Sequence, residues 1–529
     1  MTTTTARPAH PAATAADGGP RGPRGPRARA VLALARAETR ELARHPVVLV
    51  FFAVYVAATA WQIYSGHTGW HELTGREGMA DHPALQDADR ATQSGGLLLG
   101  LALFVCADRA VLRSLRRGTD EQFGVLVMEP WRRTLAHALS VVPFALLTAL
   151  VVAARFTSDA LEPGAVGHGS LAELSVAPLV TLLGGVAGVL LARLVPSVHA
   201  APLVVVGVLL AGLFLTTATG GAHWKRWLSP VVTESGADPF PSDLVGRPAA
   251  WHALYLAGLV VLLLGAALLR SGGRSTGVAA LTALALAATA TGIAGQSQGP
   301  SAALLAARAQ VSAHPEAVER CTAHGATTYC ALPEWTGRTG AWAKTTDRVR
   351  ALAGGTAATR PLTVRQRVEA RYGLDNDPSY DPSTVPGTVT VGTRWGGNRV
   401  PEYAVGLASV LVAGDEHAGS ELCDGRVVTV LWLALGGDAD PLASLRDVRI
   451  DDSVEGGAVA LTPTGNLLMS AGQTDVVRTL LGRPHAEVAS AVRGHWKELT
   501  APGTSTARVA ELLHVPGIGH GKDTDSCER

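Results

Sequence analysis

The sequence has few charged residues and few cysteines for its length. Charged residues make up 17% of the 529 residues, whereas apolar residues make up 47%. The 45 Lys and Arg residues balance the 44 Asp and Glu residues, so the chain lacks the basic excess that is typical of proteins that bind nucleic acid. A chain of this length is also too long for one compact soluble domain. The composition therefore predicts more than one domain and no nucleic-acid partner.

Complete motifs for the common catalytic and metal sites are also lacking. The chain contains neither H-E-x-x-H nor paired C-x-x-C motifs. The nearest match to a P-loop is PGIGHGKD at 516–523, in which Pro516 and Asp523 replace residues that cradle phosphate. The letters GRSTG at 273–277 fit a nucleophile elbow but follow no predicted strand. The acids of LDNDPSYD at 374–381 lack the Gly and the Glu of a calcium loop. We therefore predict no catalytic residue, cofactor or metal in this chain.

What the sequence does contain is long uncharged runs. A helix needs about 20 mostly apolar residues to cross a bilayer. No soluble core would bury seven such runs, and backbone groups in lipid must bond internally, so we expect an all-α polytopic membrane domain of about seven helices. The seven runs are Val47–Tyr64, Ala91–Ala107, Thr134–Ala154, Leu174–Ala192, Ala200–Ala222, Pro248–Leu269 and Ser275–Gly295.

Basic residues in the connections predict the orientation of these helices. The N-terminal segment, the loop 108–133 and the short turns contain 17 basic residues and seven acids, whereas the loops 65–90, 155–173 and 223–247 contain six and eleven. Cytoplasmic loops carry the excess of Lys and Arg. We therefore expect a multi-pass plasma-membrane protein with a cytoplasmic N-terminus, and an extracytoplasmic chain after about Gly295.

Four segments follow from this reading. Residues 1–27 are rich in Thr, Ala, Pro, Gly and Arg and predict a disordered cytoplasmic tail. Residues 28–45 predict an interfacial helix with Val31, Leu32, Ala35 and Leu42 near one side, or else a solvated lead-in to the first crossing. Residues 46–296 form the membrane domain. Residues 297–529 predict a mixed, mostly α extracytoplasmic domain, in which VVTVLWLAL at 427–435 is too short to cross a bilayer.

The cysteines agree with this orientation. Cys106 lies in the second apolar run, and the other four all lie in the C-terminal domain. An even number of cysteines in an exported domain indicates disulfides. We expect a small loop closed by Cys321 and Cys330 and a long-range pair of Cys423 with Cys527, although four cysteines allow three pairings and reduced thiols in a cytoplasmic domain are the alternative.

Within the membrane runs, small residues and prolines predict packing and kinks. Gly184, Gly185 and Gly188 would allow close helix contact, and Pro143 and Pro178 would bend their helices. The runs carry almost no charge, which argues against proton-coupled transport and favours an energy source outside the membrane domain.

The loop 108–133 is unusual because it places a short charged element between two apolar runs. Residues 120–128 can form a short amphipathic helix that Pro130 ends, and such an element can dock into a groove on a cytosolic partner. Arg132 and Arg133 would then anchor the next crossing at the membrane surface. The residues that we assign to this predicted coupling loop are Thr119, Asp120, Glu121, Phe123, Leu126, Glu129, Pro130, Arg132 and Arg133.

These features resemble the permease subunits of ABC transporters of the ABC-2 (exporter) type. The resemblance covers about residues 28–270 and rests on the interfacial helix and on the Gly-Thr, acidic, apolar, Pro and Arg sequence that begins at Gly118. It implies a dimeric permease, with a second copy or a homologue, and a separate cytosolic ATPase subunit that binds the ATP. A seventh crossing and the domain 297–529 depart from the usual family pattern, although CTAHGATTYCALPEW at 321–335 resembles domains appended to actinobacterial permeases.

Two other classes remain open. The chain could be a membrane-anchored surface receptor or interaction protein that acts through residues 297–529, in which case the loop 118–130 would bind nothing. It could also be a membrane-bound extracytoplasmic enzyme, although no catalytic constellation is apparent. The charged loop with its Pro-Arg exit favours the permease, because an anchor does not need it.

Overall fold

The computed structural model describes residues 25–65, 82–118, 128–218, 226–232, 234, 238–374, 380–452, 457–516 and 525–526. The first part of the chain is helical. Its helices are α1 (Gly25–Arg44), α2 (Pro46–Ser65), α3 (Leu85–Ala91), α4 (Gln93–Val111), α5 (Arg113–Arg116), α6 (Pro130–Leu139), α7 (Val142–Ala160), α8 (Leu171–Leu174), α9 (Val176–Leu194), α10 (Ala200–Ala218), α11 (Ser242–Val245), α12 (Ala249–Arg270) and α13 (Thr276–Gln296).

Among the described residues, six helical segments are long and apolar enough to cross a membrane. They are Pro46–Tyr64, Leu85–Val111, Pro130–Ala160, Leu171–Leu194, Ala249–Arg270 and Thr276–Gln296. Each contains most of one predicted run, so these six predictions are confirmed as helices. The predicted fifth run, Ala200–Ala222, forms α10 up to Ala218, and its last four residues lie outside the described residues.

The second apolar run was predicted too short. The structure begins this helical segment at Leu85 rather than Ala91. The added turn contains Asp89 and Arg90, which are buried although they are charged. The extended segment therefore carries charges that the predicted run does not contain, and Glu173 and Glu234, from other parts of the chain, compensate the charge of Arg90.

Two prolines interrupt the membrane helices, as predicted. A proline inside a helix lacks an N–H group and clashes with the carbonyl four residues earlier. For Pro143 that carbonyl belongs to Leu139, where α6 ends, and for Pro178 it belongs to Leu174, where α8 ends. Each proline thus divides one membrane segment into two helices.

Glycines bring α4 and α9 into close contact. A Cβ atom on Gly184 would lie 2.2 Å from the carbonyl oxygen of Gly100, and one on Gly188 would lie 2.1 Å from that of Phe104. A side chain at either position would force the two backbones apart. The predicted role of the glycines in close helix packing is confirmed for this pair of helices.

Residues after 297 form a mixed α/β region. Its helices are α14 (Ala302–Ala313), α15 (Thr339–Leu352), α16 (Arg399–Ala413), α17 (Glu416–Ser420), α18 (Arg426–Leu435), α19 (Pro441–Val448), α20 (Ala471–Leu481), α21 (His485–Gly494), α22 (Trp496–Leu499) and α23 (Thr506–Leu512). Its strands are β1 (Arg320–His324), β2 (Thr327–Ala331), β3 (Leu362–Gln366), β4 (Thr388–Val391), β5 (Arg449–Asp452), β6 (Gly457–Thr462) and β7 (Gly465–Met469).

The strands form two sheets. In the first, with the order β1-β2-β3-β4, the hairpin β1-β2 is antiparallel and the pairs β2-β3 and β3-β4 are parallel. Strands β5, β6 and β7 form an antiparallel meander. Helix α18, which is the apolar segment that was predicted not to cross the membrane, is buried along almost its whole length in the core of this region.

Candidate functional sites

The structure describes only the exit of the predicted coupling loop. Thr119, Asp120, Glu121, Phe123 and Leu126 lie outside the described residues. Pro130 is the first residue of α6, where a proline costs no hydrogen bond because the first N–H groups of a helix have no intrahelical acceptor. Glu129 Oε2 accepts a hydrogen bond from Trp131 Nε1 at 2.5 Å and lies 3.1 Å from Arg132 Nε. The Glu129 carboxylate thus contacts two residues in the first turn of α6. Arg133, the last residue of the predicted loop, is half-buried on the same helix.

Helix α1 packs against α6 through small apolar residues. Val31 and Ala35 are buried against Ala136 of α6. Thr39 Oγ1 donates a hydrogen bond of 3.1 Å to the carbonyl oxygen of Ser140, just after α6 ends. The side chain of Leu32 is 48% exposed, because it lies about 100° around the helix from Val31 and so lies off the buried face. The residues at 31, 35, 38 and 42 form the buried face instead.

That buried face contains an acid, Glu38, which the apolar pattern did not reveal. Its Oε2 atom lies 3.2 Å from Arg113 Nη2 of α5 and 3.8 Å from His137 Nδ1 of α6. Burial raises the pKa of Glu38, and the nearby Arg113 acts in the opposite direction. Helix α1 is thus tied both to the helix before the predicted coupling loop and to the helix after it. We call α1, α5 and α6 together the base of the loop.

A network of charges, buried except for the half-exposed Asp87, lies at the other end of the membrane helices. Arg90 Nη1 lies 2.8 Å from Glu173 Oε1, and Arg90 Nη2 lies 3.3 Å from Glu234 Oε1. Arg247 Nη2 lies 2.7 Å from Glu234 Oε2 and 2.9 Å from Asp87 Oδ1. These acids raise the pKa of Arg247 despite its burial. The network joins two membrane segments to the connection 226–248.

The connections at this end pack against the C-terminal region. Val166, Phe240 and Val245 belong to the same apolar core as the buried Trp335. Glu334 accepts hydrogen bonds from Ser242 N at 3.1 Å and from Ser242 Oγ at 3.2 Å. These connections were predicted to lie on the same side of the membrane as residues 297–529. Their described parts contact that region, in agreement with the prediction.

Arg338 provides a second contact between the two parts of the chain. Its guanidinium is buried and donates to the carbonyl oxygens of Gly164 at 3.1 Å, Thr393 at 2.8 Å and His82 at 2.6 Å. Two of these carbonyls belong to connections between membrane helices. Within the described residues, all hydrogen-bond acceptors of Arg338 are backbone carbonyls, and burial lowers its pKa to about 10.

The cysteines follow the predicted pairing where the structure describes them. Cys321 and Cys330 lie opposite each other in the hairpin β1-β2 and form a disulfide. Cys423 is also disulfide-bonded, and its expected partner Cys527 lies outside the described residues. Cys106 is a free, buried cysteine in α4. Glu319 lies near the sulfurs of Cys321 and Cys330, but bridged sulfurs are not the thiolates that bind metal.

Several isolated motifs have structural roles. Ser275, the central residue of the GRSTG match, is the N-cap of α13 and accepts a hydrogen bond from Val278 N at 3.3 Å. His137 faces Glu38 at the base of the loop. The positions Asp375 and Asp377 of the weak calcium-loop match, and 517–523 of the P-loop match, lie outside the described residues.

Comparisons with models of known protein families, with curated proteins and with solved structures gave no match to this chain. The functional argument therefore depends on the residues and contacts described above.

Proposed function

We propose that this chain is the membrane-spanning permease subunit of an ABC transporter of the ABC-2 type, driven by ATP that a separate cytosolic subunit hydrolyses. The observation that carries the proposal is the base of the loop. Helix α1 contacts α6 through an apolar face and α5 through the ion pair of Glu38 with Arg113. In the sequence, the segment 119–127 lies between α5 and α6.

The base of the loop is arranged to transmit force from the predicted coupling loop to the membrane helices. A partner that pushes or pulls on the loop would act on the ends of two membrane segments at once, because α5 follows Leu85–Val111 and α6 begins Pro130–Ala160. The contacts of α1 would keep these ends from moving independently. A rigid support of this kind has an evident use in a subunit that receives mechanical work, and much less use in a simple anchor.

We further propose seven crossings, with the N-terminus in the cytoplasm and residues 297–529 outside. Val176 shares an apolar cluster with Tyr255, and Ala192 shares one with Ala267, so α9 and α12 run in the same direction. This arrangement supports a further crossing between Leu194 and Ala249. Helix α10, with 19 residues, is long enough for that crossing. The surplus of Arg near the base of the loop supports its cytoplasmic placement.

We also propose that two copies, or this chain and a homologue, form the transporter. Helix α2 exposes a stripe of apolar side chains that includes Leu49, Val50 and Val54. In a bilayer, such a face contacts lipid or another membrane helix. This part of the proposal follows chiefly from the family resemblance.

The coupling role can be tested by a matched pair of charge reversals. Glu121→Lys alters the predicted docking element, whereas Asp475→Lys alters an acid of the C-terminal region whose side chain is 74% exposed. We expect Glu121→Lys to abolish co-purification of an ATPase while membrane insertion is kept, and Asp475→Lys to retain the ATPase. Retention of the ATPase by both variants would contradict the docking role. Glu129→Lys is a poorer test, because Glu129 also fixes the start of α6.

A surface receptor is the second candidate function, and one observation favours it. The C-terminal region contains a polar cavity of about 200 Å³ that is shared with the connection 226–248. A receptor would depend on this cavity and not on the loop 118–130. Loss of biological activity on changing the cavity, with no effect of Glu121→Lys, would favour the receptor over the permease.

A further inference from the structure

The cavity in the C-terminal region has walls from five separate parts of the chain. Strand β4 and the residues after it form one wall, the start of α16 forms the second and the turn between β6 and β7 forms the third. The fourth comes from the connection between α10 and α12, and the fifth is Tyr380, which precedes β4. The polar side chains that line the cavity include Asp238, Tyr380, Arg394, Arg399, Glu402 and Thr464.

The cavity contains two acids and two bases, which form two ion pairs. Arg399 Nη1 lies 2.8 Å from Glu402 Oε2, and Arg394 Nε lies 3.5 Å from Asp238 Oδ1. Tyr380 donates a hydrogen bond of 3.3 Å to Asp238 Oδ2. The four charges sum to zero, yet the longer pair exceeds the length of a good N–H···O hydrogen bond. The lining therefore offers both carboxylate and guanidinium groups to a molecule in the cavity.

One buried oxygen in the lining has no hydrogen-bond partner among the described residues. Glu402 binds Arg399 through Oε2, whereas its Oε1 atom accepts nothing, and the side chain is only 3% exposed. Burial raises the pKa of Glu402, and Arg399 acts in the opposite direction. An unsatisfied buried acceptor is costly, and native structures contain few of them. A ligand with an N–H group at this position would supply the missing donor.

We infer that the cavity binds a small zwitterion of the α-amino-acid class. The ammonium group would donate to Glu402 Oε1 and to Asp238, and the carboxylate would accept from Arg394 and Arg399, because guanidinium groups suit carboxylates. A cavity of about 150 Å³ holds benzene, so one of about 200 Å³ suits a molecule of amino-acid size. A ligand with a single charge would match only the acids or only the bases of these two ion pairs.

The position of the cavity gives binding a structural consequence. Asp238 belongs to the connection between two membrane helices, whereas Arg394, Arg399 and Glu402 belong to the C-terminal region. A bound amino acid would therefore link these two parts of the chain. This inference is independent of the proposed ATPase partner, so either can fail without the other.

The test uses the full-length protein in detergent and measures its thermal unfolding with each of the twenty standard L-amino acids at millimolar concentration. Propionate and propylamine, each with one charge, serve as ligand controls. We expect at least one amino acid to raise the unfolding midpoint and neither control to do so. Absence of any shift with all twenty amino acids would overturn the inference, as would an equal shift with propylamine.

Variants then locate the site by isothermal titration with the amino acid that gives the largest shift. Glu402→Gln is expected to weaken binding at least about tenfold, since the ammonium loses a charged acceptor. Glu421→Gln, at an exposed position of the same region, is expected to bind normally. Arg394→Gln provides a second test at a less buried position if Glu402→Gln does not fold. Unchanged affinity in the folded cavity variants would overturn the inference.

Discussion

The contact of Arg338 with the connections between membrane helices gives a quantitative prediction. Met, like the aliphatic part of Arg338, is unbranched and apolar, but it has no hydrogen-bond donor. The substitution Arg338→Met therefore removes every side-chain donor at this position. Two of its three short hydrogen bonds, to the carbonyls of Gly164 and His82, cross from the C-terminal region to these connections. We therefore expect Arg338→Met to loosen this contact while the C-terminal core remains folded.

The magnitude follows from the number and the type of these bonds. A hydrogen bond from a charged donor contributes about 1.5–3 kcal/mol. The net stabilisation by these bonds is smaller, because burial of the charged guanidinium is itself unfavourable, and this cost is reflected in the lowered pKa of Arg338. Two such bonds are lost in the variant, but the cost of burying the guanidinium is no longer present. The contact between the C-terminal region and the connections is therefore weakened by about 2–4 kcal/mol, which corresponds to roughly a 30- to 700-fold shift toward the state in which the two are separated.

Amide hydrogen exchange of the full-length protein in nanodiscs measures this shift. Peptides that cover 82–90 and 161–170 are expected to exchange faster in Arg338→Met than in the natural protein. Arg478→Met is the control, because Arg478 is exposed and its one close acid, Asp475, lies 3.7 Å away. Equal exchange of both peptides in all three proteins would refute the assigned role of Arg338.

Three further changes test other contacts. Ala35→Leu is expected to loosen α1 by about 1–3 kcal/mol through overpacking against α6, and thus to speed amide exchange along α1, whereas Leu32→Ala should not. Burial raises the pKa of Glu319 from 4.5 to about 7. The protonated carboxyl therefore stabilises the folded protein fully below pH 4.5, and this contribution is lost as the pH rises through 7. The thermal midpoint should therefore fall with pH more steeply than in Glu319→Gln, and parallel profiles would contradict this. Gly184→Val should prevent close packing of α4 and α9 and lower the yield of folded protein, unlike Gly207→Val in open space.

The membrane helices could be predicted from the sequence because the apolar runs are long and continuous. The start of the second segment could not, since Asp89 and Arg90 resemble loop residues until their surroundings are known. Arg90 is compensated by Glu173, which is more than 80 residues away, and no local pattern indicates that pairing. Glu38 was missed for the same reason, because its partners Arg113 and His137 come from other helices.

In the C-terminal region, the predicted mixture of helices and strands was found, but several strands give little signal in the sequence. All five residues of β1 are exposed, so it has no alternation of buried and exposed residues to indicate a strand. Strands β6 and β7 are adjacent apolar segments that only their antiparallel pairing defines. The polar cavity was likewise unpredictable, because Asp238 and Glu402 lie far apart in the sequence. The role of the coupling loop remains a prediction of the sequence.

Photo-crosslinking from position 126 in living cells tests the central claim most directly. A photoreactive amino acid replaces Leu126, and the crosslinked protein is identified by mass spectrometry. The proposed function predicts a crosslink to a cytosolic protein whose sequence contains a P-loop, and no such crosslink from position 32 on the exposed side of α1. A properly inserted protein that crosslinks from position 126 only to lipid, or to extracytoplasmic proteins, would contradict the permease assignment and the predicted orientation.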